Sequence, residues 1–216
     1  FVLLFITILP IYVQPDLGTA GMVVIIFFSV IAFINIHKKT IILFFCFVFF
    51  CFPSMWFLLK DYQKERVKFF INPELDPLNA GYQLIQSKIA IGSGGFWGKG
   101  FLEGTRTIGK FVPEQHTDYI FSTVGEEWGF IGSTMVILVF VLFLLRIIQT
   151  AERQKSKFSR VYGYSIAAIF FTHFTINIGM TIGLAPVVGI PLPFLSYGGS
   201  SLWAFTLLLF IFLKDM

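Results

Sequence analysis

Apolar residues gather in long blocks along this chain, and polar residues are confined to the gaps between them. The blocks are 1–13, 18–36, 40–59, about 118–148, 161–184 and 194–213. A helix needs roughly 20 apolar residues to cross the hydrocarbon core. Every block but the first meets that length, and the fourth is long enough to tilt or to project beyond the bilayer. Backbone groups in lipid must be paired within their own segment, so each block is predicted to be a helix. The first block, FVLLFITILPIYV, is short and is read as the end of a longer span. It lacks the basic start and small-residue cleavage site of a signal peptide. The expected fold class is all-α, a polytopic membrane helical bundle of about six spans. A single membrane domain is expected over 1–216, with one large loop at 60–117.

Composition strengthens that picture. The chain is 56% hydrophobic and only 13% charged, with 29 phenylalanines, where soluble domains carry about 25% charged residues. Cys46 and Cys51 share one apolar block and lack the partners of a metal site or a disulfide framework. A sequence pI near 9.1 does not mark a nucleic-acid binder, because the basic residues are split among membrane flanks and interleaved with acids. His37-Lys38-Lys39, the stretch 146–160 and Lys214 together hold eight Lys/Arg, while the short gaps at 14–16 and 185–193 hold none. Positive-inside reasoning puts the first group in the cytoplasm and loop 60–117 outside. That loop also carries eight Lys/Arg, but long loops cross regardless of charge.

Several stretches carry candidate chemistry. In GYQLIQSKIAI (81–91), Tyr82, Ile85 and Ile89 recur at helical spacing, as in a short helix lying on a membrane surface. GSGGFWGKG (92–100) matches neither the dinucleotide nor the P-loop pattern. It is either a flexible linker or a backbone that approaches a phosphate closely, with Lys99 beside it. In FVPEQHTDYIF (111–121), Pro113 suits a first helical position and Glu114 a first turn. A helix starting there sets Glu114 and Asp118 on one face, continued by Ser122, Gly125 and Gly129, with Glu126 about 80° away. Such a small-residue face admits another helix or a lipid chain. His173, Asn177 and Thr181 form a polar stripe suited to interhelical hydrogen bonding or to lining a cavity. PVVGIPLPFLSYGGSSL (186–202) brings three prolines and then the glycine pair 198–199 to the start of a span. Non-helical backbone at that depth needs cover from protein or water. Ser196 is a candidate cap of the last helix, whose amides near Gly198, Gly199 and Ser200 favour an anion. Asp16 is a candidate N-cap.

QPDLGTA, DYQKERV, NPELDPLNAGYQLIQSKIAIGSGGFWGKG, PEQHTDYIF, GEEWGFIGS and NIGMTIGLAPVVGIPLPFLSYGGSS, in that order, resemble the SEDS family (shape, elongation, division, sporulation). The resemblance covers nearly the whole chain. It is nearer to the rod-shape branch than to the division branch, through the SKIAIGSGG run and the Gly-Lys-Gly. It implies a ten-span protein with both ends in the cytoplasm, of which these six segments would be the last six. It also implies a peptidoglycan glycosyltransferase of the bacterial cytoplasmic membrane. Such an enzyme polymerises lipid II into glycan strands beside a class B penicillin-binding protein, during elongation and rod-shape maintenance. The family's essential acid falls on Asp118, with Glu114, His116 and Thr117 as its motif neighbours. Tyr119 stands where phenylalanine is common.

The implied reaction inverts an α-linked donor on undecaprenyl pyrophosphate, with the 4-hydroxyl of lipid II as acceptor. Asp118 is the expected base, its pKa raised by partial burial. Lys88, Lys99, Arg106 and Lys110 are candidate cations for the leaving pyrophosphate, to which a divalent ion (Mg or Mn) would be suited. A lipid II flippase and a non-catalytic scaffold for the penicillin-binding protein are the alternatives that the residues themselves leave open.

Overall fold

The computed structural model describes residues 17–33, 64, 68–70, 72–73 and 80–214. The expected segments 1–13 and 40–59, the two cysteines and the Asp16 cap lie outside these residues. Among the described residues six helices follow one another: α1 (Leu17–Phe33), α2 (Ala80–Gly94), α3 (Thr105–Ile108), α4 (Ile120–Glu152), α5 (Lys157–Ile182) and α6 (Gly199–Lys214). No strand occurs among the described residues. Among the described residues two helices, α4 and α5, are long and apolar enough to cross a membrane, and α1 and α6 contribute shorter apolar helices.

The core forms where α4, α5 and α6 meet. Phe140 of α4 stacks on Phe174 of α5, with ring centroids 4.2 Å apart. Phe170 and Phe205 lie 5.5 Å apart and join α5 to α6. Phe194, from the loop before α6, packs on both of them and on Phe143. Offset and edge-on ring pairs add to the area they bury. Gly163 lets α5 approach closely, since a Cβ there would meet Ala151 and Phe212 at 2.6 Å. The outward face of α4 (Leu138, Val139, Leu142 and Leu145) remains exposed.

α2 is the helix expected at 81–91, but its buried face differs from the expected one. Gly81, Leu84, Ser87 and Ala90 turn inward, and the helix packs against both α4 and α5. Tyr82 and Ile85 are half-buried and Ile89 is exposed. Leu84 aside, these inner residues are small, and helix axes approach most closely over small residues.

α4 contains a break at Gly129, whose φ of 63° and ψ of −155° are not helical. In an unbroken helix the amides of Phe130 and Ile131 would bond the carbonyls of Glu126 and Glu127. Here Phe130 N donates to Gly95 O (2.9 Å) and Ile131 N to Phe96 O (3.3 Å). The two freed carbonyls accept from Lys99 N and Gly100 N, both at 3.0 Å. The glycine-rich stretch is therefore spliced into the helix ladder and satisfies all four orphaned groups. Its glycines permit an approach that side chains would block. A Cβ on Gly98 would collide with Glu127 O, and one on Gly94 with Gly125 O.

Candidate active site

The segment preceding α4 does not extend the helix, as Pro113 and Glu114 had suggested. Residues 113–119 form consecutive turns, and α4 begins at Ile120. Tertiary bonds explain the difference. Three successive carbonyls are taken by distant donors: Tyr197 N bonds His116 O (2.8 Å), Ser196 Oγ bonds Thr117 O (2.5 Å), and Asn177 Nδ2 bonds Asp118 O (2.8 Å). Glu114 O accepts from both Thr117 N and Tyr119 N, as in a tight turn. The expected Glu114–Asp118 helical face therefore does not exist. Glu114 instead accepts a 2.9 Å bond from the Thr117 hydroxyl.

The donors to these carbonyls explain the two polar stretches downstream. Asn177 is fully buried and also donates to Ile190 O at 2.7 Å, which binds loop 183–198 to the Asp118 turn. His173 contacts Pro191 O at 3.4 Å, and Thr181 O accepts from Ser87 of α2. Within the stripe, the His173 and Asn177 side chains tie α5 to its surroundings, while the Thr181 hydroxyl bonds Ile178 O inside α5. Ser196 does not cap the last helix. Its hydroxyl also accepts from Leu192 N (2.7 Å), and α6 starts at Gly199. Gly198 is half-buried, while Gly199 and Ser200 are exposed.

Asp118 is half-buried. Desolvation raises its pKa above the ordinary aspartate value, and the nearby Glu114 charge raises it further. Both effects disfavour the ionised form. A Cβ built on Gly189 would lie 3.3 Å from Asp118 Oδ2, so the carboxylate rests against this glycine. Gly189, with a φ of 73°, in turn lines a cavity of about 190 Å³ shared with Phe69, Phe70, Gly81, Leu84, Val187 and Val188. A carboxylate with a raised pKa thus rests against a glycine that lines an apolar cavity. His116 is exposed beside it, with Nε2 3.4 Å from Gln115 Nε2.

The candidate cations have different surroundings. Lys88 is exposed, and its ammonium lies against Gly183, the left-handed residue that ends α5. A cation is favourable at such an end. Arg106 bonds Gln86 Oε1 at 2.7 Å and lies over the Phe111 ring. Lys110 is exposed. Lys99 is committed to an ion pair of 2.7 Å with Glu126. The face formed by Ser122, Gly125 and Gly129 is buried and filled by the chain itself. Ile91 sits on Gly125, and the 96–98 backbone sits on Gly129. It is no groove for a polyprenyl tail. Of the two occupants that small residues admit, a packed protein segment is the one present. Among the described residues no three His, Cys, Asp or Glu side chains converge as a metal set.

Sequence reasoning missed Glu126, Gln115 and Gly189. A carboxylate inside an apolar block was the available signal for Glu126. Gln115 and Gly189 carried none, because their importance comes from residues remote in the chain.

Known proteins resemble this chain over most of its length. The profile of the FtsW/RodA/SpoVE cell cycle protein family matches residues 1–214. The chain belongs to this family. It is 43% identical over 202 residues to the peptidoglycan glycosyltransferase MrdB of Escherichia coli K12, covering 93% of this chain and 55% of that protein. It is 47% identical over 146 residues to the peptidoglycan glycosyltransferase RodA of Treponema pallidum, covering 68% of this chain and 34% of that protein. The chain therefore spans about half, or less, of the length of these relatives. A solved peptidoglycan synthase complex that coordinates polymerization and crosslinking contains a similar chain. It superposes with a TM-score of 0.80 at 28% identity, covering 99% of this chain and 60% of that one. The fold is also that of Thermus thermophilus rod shape determining protein RodA, with a TM-score of 0.59 at 24% identity over 98% of this chain and 55% of that one. A membrane protein of this family is the consistent reading of the apolar helices.

Proposed function

We propose that this chain is the catalytic part of a peptidoglycan glycosyltransferase that polymerises lipid II during cell elongation. The observation that carries the reading is the Asp118 carboxylate resting against Gly189, a residue that lines an apolar cavity. Half-burial holds its pKa above the usual carboxylate range, which suits a general base. Asp118 takes the proton of the acceptor 4-hydroxyl as that oxygen attacks the anomeric carbon of the donor. The bond to undecaprenyl pyrophosphate breaks, and configuration inverts. Arg106, Lys88 and Lys110 are the cations free of an ion pair among the described candidates, and they would meet the leaving pyrophosphate. The cavity's phenylalanine, leucine and valine side chains suit the first isoprene units of a lipid carrier.

The catalytic turn lies outside the cytoplasmic membrane of a bacterium in this proposal, with loop 60–117 on the same side and six spans in this part of the chain. A class B penicillin-binding protein is the proposed partner, in keeping with relatives named peptidoglycan glycosyltransferase and with the solved synthase complex. The test is lipid II polymerisation by the full-length protein. Asp118→Asn, which preserves shape and removes the base, should abolish glycan strands while membrane abundance stays normal. Polymerisation at the wild-type rate would overturn the assignment. Unimpaired lipid II translocation in vesicles, with no polymerisation by the wild type, would favour a flippase.

A further inference from the structure

The Glu126 carboxylate lies inside the protein, 0% exposed. Its Oε1 accepts from Lys99 Nζ (2.7 Å) and from Arg106 N (2.9 Å). Thr105 Oγ1 and Ser93 Oγ approach the same oxygen at 3.3 and 3.5 Å. Oε2 accepts from Thr107 N and Thr107 Oγ1, both at 2.8 Å. Lys99 Nζ also bonds Thr105 Oγ1 at 2.8 Å. No space is left over: a Cβ on Gly104 would stand 2.9 Å from Glu126 Oε2. A buried charge this fully bonded needs its partners, and each partner is fixed by it.

The network does not stop at α3. Thr107 O accepts from Gln115 Nε2 at 3.0 Å, and Gln115 stands three positions before Asp118. The bonds therefore close a ring. It runs from α4 through Glu126 to Thr107, across to Gln115, along the turn to Asp118, and back into α4. Arg106 is fixed within the same ring by its own amide. Resting on the proposed glycosyltransferase reading, we infer that Glu126 is a positioning residue that sets the Asp118 turn and Arg106 through Thr107 and Gln115. It touches no reacting atom. Its negative charge is what gathers the donors of Lys99, Arg106 and Thr107. Glutamine offers one acceptor in place of two and turns an NH₂ toward donors.

Full-length protein carrying Glu126→Gln, Glu126→Asp or Gln115→Met provides the test, with hydrogen exchange and lipid II polymerisation read side by side. Glu126→Gln should speed amide exchange across 105–119 and lower kcat by about 100-fold with little change in KM, as a misplaced catalytic group does. Glu126→Asp keeps the charge and should recover part of kcat. Gln115→Met should speed exchange at 112–119 alone and lower kcat while 105–108 stays protected, so the inference remains testable if Glu126→Gln fails to fold. Faster exchange confined to 95–108 in Glu126→Gln, or wild-type exchange at 112–119 in Gln115→Met, would overturn the inference whatever the activity. Polymerisation surviving in Asp118→Asn would instead strike at the catalytic reading and leave the exchange result to judge the ring.

Discussion

The electrostatics of Asp118 are set by half-burial and by Glu114. Both raise its pKa, desolvation more than charge. In the proposed reaction Asp118 must be ionised to act as the base, so polymerisation should rise with pH, with the acidic limb above the ordinary aspartate range. Glu114→Gln removes one repelling charge and should move that limb to lower pH in a pH–rate profile of polymerisation. A shift to higher pH would contradict the electrostatics. The same raised pKa has a stability consequence of opposite sense: the folded state holds this proton more tightly than the unfolded chain. Its contribution is present below the unfolded pKa and is lost as pH rises through the folded one. Asn177 is the other decisive residue, since its amide bonds both Asp118 O and Ile190 O. Asn177→Leu leaves those carbonyls without this donor and should cost about 1–3 kcal/mol for each one left unpaired. Thermal unfolding in detergent measures that loss.

At the scale of elements, the glycine loop and α4 form one backbone unit. Gly129 adopts a conformation open almost only to glycine. Gly129→Ala should cost about 1–3 kcal/mol in backbone strain, and its Cβ would also collide with Gly98 N. A markedly lower unfolding temperature is expected, and an unchanged one would show that the splice is not required. Glu126 and the break lie within one helical turn of each other, so the loop is held twice: by its backbone at 95–100 and by its charge at Lys99. Of the two readings of this stretch, the flexible linker is therefore not what forms: the loop is bonded to α4 along its backbone.

At the scale of the whole molecule, the exposed side of α4 places Leu138, Val139, Leu142 and Leu145 toward the surroundings. Lipid is the solvent that such a surface fits. Leu142→Arg puts a charge in the apolar middle of the span and should cost about 2.5–3.5 kcal/mol on insertion. Phe158→Arg, in the first turn of α5, can extend toward water and should insert normally. Glycosylation mapping of the integrated fraction distinguishes the two. Equal insertion would argue against the span.

Much of this was decided locally, and therefore by sequence. Apolar blocks of membrane length dictate helices wherever they occur, so α4 and α5 were legible to within a few residues. The motif around Asp118 was legible because a run of matching residues is independent of distance in space. Tertiary structure alone decided how these pieces meet. The helix pattern at 113–119 lost to three hydrogen bonds from residues 177, 196 and 197, which no local propensity encodes. The small-residue face of α4 was visible, but its occupant was not, because small residues admit any close neighbour. Lys99 became half of an ion pair only when the loop folded back onto Glu126. Local periodicity sets which elements form; bonds between residues far apart in the chain set which of their groups are free to react.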